Sequence, residues 1–384
     1  MTASPGPLPT VRYDEASLSD VLPSVLASLG VAGERGPLQL ADVARTVVLL
    51  VDGMGWEGLQ RHRDVAPFLT SLPGRPLTAG FPSTTVTSLT SLGTGLPPGA
   101  HGFTGYSSWV EEVGEAVNWL AWRPVGGGED LRQRLPPEQA QPQPTVFERA
   151  ADAGISVTMA TAAQFEDSGL TRAALRGGRF AGSYTWGDSL AHAVDGVQRG
   201  NRSLVYCYLS ELDLIGHVRG AETDAWLAQL HMVDSFAEAL AERLPPDARL
   251  VVTADHGMVT VPEEGRVDFD ASGVLQDGVV GLAGEPRVRH VHARRGAAAD
   301  VLAAWRAELG DRMWVGSRDD AVAAGLFGPD VTTVARERIG DVLAIASTAD
   351  VAVVRRSTES VLSGLPGQHG ALTDDELLVP LLTT

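Results

Sequence analysis

Three apolar runs, each ending at an aspartate, limit the folds open to this chain more than any other feature. They are "TVVLLVDG" (46–53), "SLVYCYLSELD" (203–213) and "ARLVVTADHG" (248–257). Runs this apolar and this rich in β-branched residues are typical of strands that are buried on both faces. Segments with helical spacing of apolar residues separate them, for example 145–154 and 223–244. The alternation predicts an α/β protein with a mostly parallel central sheet and helices on both of its faces.

The pattern changes at about residue 262. Three short runs there are typical of strands, "RVRHVHAR", "DVLAIAS" and "DVAVVRR", and "AAADVLAAWRAELG" is typical of a helix. We interpret residues 262–350 as a smaller α+β lobe inserted into a core. The core is formed by residues 1–261 and 351–384, because "ELLVPLL" near residue 380 has the pattern of one more core strand.

Carboxylates and imidazoles follow predicted strands and loops at four places. The carboxyl ends of parallel strands meet at one edge of a sheet, where ligand sites gather. A single aspartate in such a place is more often a turn or capping residue. Six carboxylates and imidazoles at one edge instead form the ligand set of zinc and similar divalent ions. The six are Asp52, Asp213, His217, Asp255, His256 and His369.

Local spacing supports the metal-site hypothesis at two of these places. Asp213 and His217 are four residues apart, so one helical turn would direct both side chains to the same point. Asp255 and His256 are adjacent and would point apart in a continuing strand, but the glycine that follows them permits a turn. The other histidines are expected to be structural or surface residues, with His101 left open.

The segment "GFPSTTVTSLTSLGTGLPPGAHG" (80–102) has two interpretations. In the first it is an ordinary capped helix, with Ser83 or Thr84 as N-cap and an end near Leu92. In the second, the hydroxyl groups of its first turn lie at the positive end of the helix dipole, where a phosphate binds or a nucleophile is activated. The segment alone does not decide between them.

Together these motifs resemble the alkaline phosphatase superfamily, and within it the nucleotide pyrophosphatase/phosphodiesterase branch. The family has a strand-end aspartate as in "VDGMG" and a Thr or Ser nucleophile that opens a helix running to "TGL" and "HG". It also has a D-x-x-x-H pair as in "DLIGH", a "DHG" as in "ADHGM" and a late "HG" as in "GQHG". All five motifs occur here in the family's order, from about residue 52 to 370.

The resemblance implies a role for each residue. One metal ion would be held by Asp52, Asp255 and His256 together with the nucleophile, and a second by Asp213, His217 and His369. Counting back ten residues from the glycine of "TG" makes Thr85 the nucleophile, with Thr84 as the close alternative. The diesterases usually have Thr-Phe-Pro-Asn at the nucleophile, whereas Val86 and Thr87 follow Thr85 here. Where they have a phosphate-binding asparagine this chain has Tyr106, whose phenol would be the substrate-binding donor.

The implied activity is hydrolysis of phosphodiester or pyrophosphate bonds of nucleotide-type substrates, through a phosphothreonine and two divalent ions, expected to be Zn2+. A phosphomonoesterase of the same fold is the main alternative. A non-catalytic metal-binding protein is disfavoured because none of the six ligands is missing. A sulfatase is disfavoured because "FPSTTVT" lacks the C/S-x-P-x-R pattern, and a cofactor-independent phosphoglycerate mutase would use a serine nucleophile and a larger inserted domain.

Charge and composition restrict the partners. The net charge of −18 argues against a nucleic-acid polymer or an anionic membrane. All 30 basic residues are arginine, which excludes lysine Schiff-base chemistry and a P-loop lysine. The partner that the resemblance implies is a small phosphate-ester substrate. No apolar run is long enough to span a membrane and no secretion signal is evident, so we expect a cytoplasmic location.

Overall fold

The computed structural model describes residues 8–13 and 15–384. Within these residues the strands, numbered along the chain, are β1 (Arg45–Val51), β2 (Gly74–Thr78), β3 (Ser107–Val110), β4 (Glu115–Asn118), β5 (Arg123–Pro124), β6 (Ser156–Ala162), β7 (Arg179–Ser183), β8 (Ser203–Leu209), β9 (Ala248–Thr253), β10 (Val259–Thr260), β11 (Arg266–Asp268), β12 (Val279–Glu285), β13 (Val288–Ala293), β14 (Met313–Ser317), β15 (Val342–Ala346), β16 (Ala352–Val354), β17 (Gly367–Gln368) and β18 (Leu378–Thr383).

The α-helices of the same residues are α1 (Val21–Ser28), α2 (Trp56–Arg61), α3 (Pro67–Ser71), α4 (Thr85–Thr94), α5 (Pro98–His101), α6 (Pro137–Ala140), α7 (Val146–Asp152), α8 (Gly169–Ala174), α9 (Trp186–Val197), α10 (Glu211–Arg219), α11 (Asp224–Ala241), α12 (Gly273–Gln276), α13 (Ala298–Leu309), α14 (Arg318–Ala323), α15 (Thr333–Arg338), α16 (Ser360–Gly364) and α17 (Asp374–Leu377). Short 3₁₀ helices lie at Leu18–Asp20, Ala163–Phe165 and Glu263–Gly265.

A seven-stranded sheet forms the centre of the molecule, with the strand order β2–β18–β9–β1–β8–β6–β7. β1 pairs in parallel with β8 on one side and with β9 on the other. Only β18 runs against its neighbours, pairing antiparallel with both β9 and β2. The predicted α/β class with a mostly parallel sheet is therefore confirmed. The apolar run that predicted β1 is buried from Thr46 to Val51, as expected for a strand covered on both faces.

Helices surround this sheet, and local capping fixes where several of them begin. Thr145 and Glu148 form a reciprocal capping box at the start of α7. Thr223 accepts a hydrogen bond from Trp226 N at the start of α11, the 18-residue helix predicted from the spacing of its apolar residues. None of the helices in the described residues is both long enough and apolar enough to cross a membrane.

Residues 266–354 contain a second, separate set of strands. A four-stranded antiparallel sheet has the order β12–β13–β15–β14, and α13 packs on it through the buried Trp305. β11 and β16 form a parallel pair. The strands and the helix that the sequence predicted in this part of the chain are all present. The division into a core and a lobe at residues 262 and 350 remains our interpretation.

A small antiparallel sheet of β3, β4 and β5 was not predicted, and it joins the core to the second set of strands. Ser107 Oγ donates a hydrogen bond of 2.9 Å to Gly284 O on β12. The ring of Trp109 lies against the ring of His292, with centroids 5.6 Å apart. The segment 107–124 therefore connects the core with residues 279–293.

Candidate metal centre

Two neighbouring strands bring three of the predicted ligands together. β1 and β9 are paired up to Leu50 and Thr253, so Asp52 and Asp255 leave the same edge of the sheet side by side. His256 Nε2 lies 3.3 Å from Asp52 Oδ1 and 3.4 Å from Asp255 Oδ2. The chain turns after β9, as predicted from Gly257, so both adjacent side chains reach one point.

Helix α10 brings the next two ligands to this edge. Asp213 and His217 lie on one helical face, as predicted from their spacing, and His217 Nε2 is 3.5 Å from Asp213 Oδ1. Gly53 lets the helix approach closely. Its φ is +75°, and a Cβ at this position would lie 2.9 Å from the Cα of Asp213. The turn after β1 therefore requires glycine for both its conformation and its packing.

His369 completes the cluster from a distant part of the chain. It follows β17, which pairs antiparallel with β10. Its ring stacks on that of His256, with centroids 3.6 Å apart and an angle of 14° between the planes. The ring of His217 is 5.0 Å away. The structure thus brings all six predicted ligands into one centre.

The three histidines of the centre share one orientation. Each Nδ1 lies within hydrogen-bond distance of a backbone carbonyl, to which its N–H donates, so that Nε2 is left with a free lone pair facing the cluster. This arrangement is common for histidines that bind metal ions, because the carbonyl fixes both tautomer and ring orientation. The Nδ1 atoms of His256, His217 and His369 are 2.9 Å from Gly257 O, 2.8 Å from Gly367 O and 3.0 Å from Ser83 O.

The aspartates each present an oxygen without a protein donor. Asp255 Oδ1 accepts hydrogen bonds from Gly53 N (3.2 Å) and His256 N (3.0 Å), and Asp52 Oδ2 accepts one from the Tyr208 hydroxyl. The partner oxygens, Asp52 Oδ1 and Asp255 Oδ2, are buried and have no hydrogen-bond donor among the described residues, and the same holds for Asp213 Oδ1. Buried carboxylate oxygens in this state need a cation or a proton.

Electrostatics favour the same conclusion. Burial raises the pKa of Asp52 well above its ordinary value, and the negative charges of Asp255 and Asp213 raise it further. Burial also raises the pKa of Asp255, while His256 opposes this shift. The pKa of His369 is lowered well below its ordinary value, first by burial and then by the charges of His256 and His217. A neutral imidazole and crowded carboxylates are suited to binding a divalent cation.

The donor atoms form two overlapping groups that fit metal ions. One atom each from Asp213, His217 and His369 lie within 4.8 Å of one another, and so do atoms from Asp52, Asp213 and His256. Mixed imidazole and carboxylate ligands suit zinc and related ions. Asp213 belongs to both groups, although the resemblance placed it at the second ion alone, and Asp255, which the resemblance placed at the first ion, belongs to neither group.

Thr85 lies at the edge of this centre as the first residue of α4. Thr84 is the N-cap residue, and Gly95 ends the helix in the left-handed conformation with φ +72°. Thr85 Oγ1 is 3.2 Å from His256 Nε2. The helix predicted here is present and Thr84 is its N-cap residue, but no side chain caps it and it ends at Thr94 instead of near Leu92. The hydroxyl of its first residue faces the cluster, as the second interpretation requires.

A cavity of about 350 Å³ opens beside Thr85. Leucines and aromatic rings form most of its wall, and its other lining groups are hydroxyls, the amide of Gln164 and the carboxylates of Asp52 and Asp213. It has no arginine or histidine among its lining residues. Its lining residues come from separate parts of the chain, namely Asp52, Thr85, Leu89, Leu120, Thr161, Gln164, Phe165, Ser168, Leu170, Thr171, Leu175, Tyr206, Tyr208, Ser210, Asp213 and Leu214.

Tyr106, predicted as a substrate contact, lies outside the lining of this cavity. Its hydroxyl accepts a hydrogen bond from Asn118 Nδ2, and its backbone N donates one of 2.9 Å to Glu285 Oε2. Burial raises the pKa of its phenol to about 12. Arg123, the first arginine after this tyrosine in the sequence, donates to Gly128 O at 2.8 Å.

Two contacts of the centre were not predicted from the sequence. Tyr208 holds Asp52, and Ser83 O holds His369. Tyr208 could have been found from strand alternation, because Tyr206 and Tyr208 lie on one face of β8. His101 proves to be structural, since it is buried and its ring nitrogens bond to Ser91 Oγ (3.0 Å) and Phe103 N (3.1 Å).

Comparison with known proteins gives a family. Residues 46–372 match the family of type I phosphodiesterases / nucleotide pyrophosphatases. No curated protein sequence matches the chain. The match covers most of the chain, so the protein belongs to this family, within the alkaline phosphatase superfamily. Membership indicates that its chemistry is hydrolysis of phosphate esters.

Solved structures share the fold at low sequence identity. Murine ectonucleotide pyrophosphatase/phosphodiesterase 5, in an inactive form with a threonine replaced by alanine and in complex with AMP, is 15% identical with a TM-score of 0.67, covering 88% of this chain and 87% of that chain. The human protein of the same name is 16% identical with a TM-score of 0.67 and the same coverage. Phosphonoacetate hydrolase from Sinorhizobium meliloti 1021, in complex with phosphonoacetate, is 18% identical with a TM-score of 0.64, covering 89% of each chain.

Proposed function

We propose that this family member hydrolyses phosphodiester or pyrophosphate bonds of nucleotide-type substrates, with Thr85 as the nucleophile and two divalent metal ions as cofactors. The observation that carries the proposal is the position of Thr85 Oγ1. It lies 3.2 Å from His256 Nε2, at the first residue of a helix and beside a cavity. A hydroxyl at the N-terminus of a helix and next to a cluster of metal ligands is suited to attack on phosphorus.

Six side chains would hold the two ions, which we propose to be Zn2+. Asp52, Asp255 and His256, with Thr85, would form one site. Asp213, His217 and His369 would form the other. When bound, the ions supply electrostatic stabilisation for the attacking and leaving oxygens and more than neutralise the three aspartates, so a phosphate ester is attracted to an acidic protein.

The chain's own residues then have distinct tasks. Thr85 Oγ1 attacks phosphorus, so that an Oγ1–P bond forms and the bond to the leaving oxygen breaks, and the leaving group departs with a proton. Free N–H groups in the first turn of α4 would donate hydrogen bonds to oxygens of the transferred phosphoryl group. Water then attacks the phosphothreonine, the Oγ1–P bond breaks and Thr85 is regenerated.

The cavity supports a diester rather than a monoester. A monoester dianion carries more charge than a diester and is usually met by a cationic side chain near the nucleophile. The lining residues of the cavity include no such side chain, and leucines with Phe165 and Tyr208 offer an apolar wall for an uncharged organic group. A nucleobase is such a group. The AMP bound to the murine relative carries such a base.

Three substrates test the proposal. Purified protein loaded with Zn2+ should hydrolyse bis-p-nitrophenyl phosphate and a p-nitrophenyl nucleotide ester faster than p-nitrophenyl phosphate, as measured by kcat/KM. A clear preference for p-nitrophenyl phosphate would favour the phosphomonoesterase instead. Absence of turnover with all three in metal-loaded protein would contradict a catalytic role. The cytoplasmic location also remains a proposal, which fractionation of the source cells would test.

A further inference from the structure

The turn between β12 and β13 carries an arginine that reaches the core. Arg287 is fully buried, and its guanidinium forms a bidentate ion pair with Glu376, which is also fully buried. Arg287 Nε lies 3.0 Å from Glu376 Oε1, and Nη2 lies 2.6 Å from Oε2. The remaining donor, Nη1, bonds to Thr348 O at 2.7 Å and to Val351 O. The carbonyl groups of residues 348 and 351 and the carboxylate of Glu376 thus fix the guanidinium in one orientation.

The carboxylate of Glu376 also organises the segment that follows His369. Ala371 N donates to its Oε1 at 3.0 Å, and the Thr373 hydroxyl donates to its Oε2 at 2.6 Å. With the two bonds from Arg287, four donors converge on one carboxylate, which is as many as its lone pairs accept. The side chain of Glu376 is therefore the centre of the hydrogen bonds in the segment from residue 369 to 376.

The same segment contacts the loop that carries Asp255 and His256. Gly257 N donates a hydrogen bond of 2.9 Å to Glu376 O. The two backbones are so close that a Cβ on Gly257 would lie 1.9 Å from Asp375 O. A Cβ on Gly55, three residues after Asp52, would lie 2.9 Å from the same oxygen. Residues 375 and 376 are therefore packed against the two loops that carry Asp52, Asp255 and His256, and they belong to the segment that follows His369.

We propose that Glu376, held by Arg287, is a positioning residue that sets the distance between His256 and His369 and so the geometry of both metal positions. The inference rests on the metal centre of the proposed function. It gives a role to residues 279–293, which carry no predicted ligand but supply the arginine. The stacked rings of His256 and His369, 3.6 Å apart, are the contact that would change when the pair is broken.

The contribution of a buried ion pair to folding stability distinguishes a positioning role from simple stabilisation of the fold. A buried ion pair is weak evidence for stability, because the cost of removing both charges from water can exceed their attraction. Its bidentate geometry, in contrast, fixes distance and angle. A second buried pair offers a matched control: Arg289 Nη2 lies 2.6 Å from Glu359 Oε2, and both side chains are buried. The hydrogen bonds of Glu359 run to Arg289, Arg355 and Ser363, away from the ligand loops.

The experiment compares Glu376→Gln with Glu359→Gln in the full chain. Both substitutions remove one buried carboxylate that faces an arginine, so their structural cost should be similar. We would measure the affinity for Zn2+ by competition with a chromogenic chelator, and the visible absorption spectrum of the Co2+-loaded protein. Changes to residues that orient metal ligands typically cost about 10–100-fold in affinity. Glu376→Gln should lose at least about 10-fold and show an altered Co2+ spectrum, whereas Glu359→Gln should match the wild type in both.

A second variant keeps the test decisive if Glu376→Gln does not fold. Replacing the pair by Arg287→Met with Glu376→Met removes both buried charges, and such replacements are often neutral for folding. This double variant should fold and still bind Zn2+ weakly. Three results would each overturn the inference. They are wild-type affinity for Zn2+ in a folded Glu376 variant, an equal loss of Zn2+ affinity in Glu359→Gln, and failure of the double variant to fold. Wild-type protein that binds no metal would instead contradict the proposed function.

Discussion

The two halves of the metal centre differ in how the chain builds them. The buried half consists of Asp52, Asp255 and His256, whose side chains are at most 4% exposed. The open half consists of Asp213, His217 and His369; the side chains of Asp213 and His217 are 16% exposed, whereas His369 is buried. Neighbouring parallel strands deliver the buried half, whereas a helix and a distant loop deliver the open half. The sheet edge therefore supplies a more buried site, and the helix and the loop supply a more exposed site beside it.

The difference has an electrostatic consequence. Carboxylates in the buried half have raised pKa values because they are desolvated and close to one another. Solvent reaches the open half, so charge there is screened more strongly. We therefore expect the buried half to depend most on its cation and to release it slowly, and the open half to exchange its ion more easily.

The largest expected effect is loss of the hydroxyl that faces the buried half. Thr85→Ala should lower kcat at least about 10³-fold, as removal of a nucleophile does in other enzymes, while metal content and fold remain. The measurement is kcat for a p-nitrophenyl diester with metal content by elemental analysis. Thr84→Ala is the control, because Thr84 is the N-cap residue, and it should keep most of the activity. An active Thr85→Ala with an inactive Thr84→Ala would move the nucleophile by one residue.

The two halves should release their metal ions at different rates. We expect two Zn2+ per chain, and a chelator should release them in a fast phase from the open half and a slow phase from the buried half. Electrostatic groups at such sites are typically worth about 10²–10³ in rate, so the fast phase alone should remove most activity. The fast phase should be missing in His217→Ala. A single phase for both ions would show that the halves are not independent.

A smaller effect is expected at Tyr106, which belongs to neither half. If its phenol donates to a phosphate oxygen, Tyr106→Phe removes a hydrogen bond to a charged group, typically about 1.5–3 kcal/mol. This corresponds to a loss of about 10- to 150-fold in kcat/KM for a diester. An unchanged rate would restrict the phenol to its contact with Asn118. Asn118→Ala, measured in parallel, tests whether that contact alone matters.

The smallest effect concerns a carboxyl that packs beside the open half. A Cβ on Gly370 would lie 2.6 Å from Glu285 Cγ, and burial raises the pKa of Glu285 to about 8. The pKa of a glutamate in the unfolded chain is about 4.3. Between the two pKa values Glu285 keeps its proton in the folded state and loses it in the unfolded state, so the free energy of unfolding falls as the pH rises from about 5 to about 8. The Tm of the Zn2+-loaded protein should decline by a few degrees over this range. Glu285→Gln should flatten the decline, and an equal slope in both proteins would exclude Glu285 as its cause.

The sheet and the ligands were predictable because their signals are local. Apolar runs mark β1, β8 and β9, and an aspartate at the end of each run marks one edge of the sheet. The i, i+4 spacing of Asp213 and His217 was sufficient to place both on one face of α10. The start of α4 was predicted only to within one residue. Thr84 is the N-cap residue although its side chain forms no capping hydrogen bond, and the Ser83 hydroxyl donates to Ala371 O at 2.7 Å.

The surroundings of the centre could not be predicted, because they depend on contacts between distant segments. Leu120, Phe165 and Leu214 form one cavity wall, but each is an ordinary apolar residue in the sequence. Arg287 and Glu376 are 89 residues apart, and nothing near either residue indicates an ion pair. Charged residues are normally expected at the surface. Only the tertiary structure shows that these two are buried.

The position of β18 has a consequence for synthesis of the protein on the ribosome. This strand lies between β2 and β9, although both of its neighbours are translated long before it. Until residues 378–383 emerge, β9 has an unpaired edge, and exposed edges of this kind favour association with other chains. A nascent chain also lacks His369 during almost all of its elongation. Premature termination before residue 369 would therefore yield a product with an incomplete metal centre and an open sheet, a form prone to aggregation.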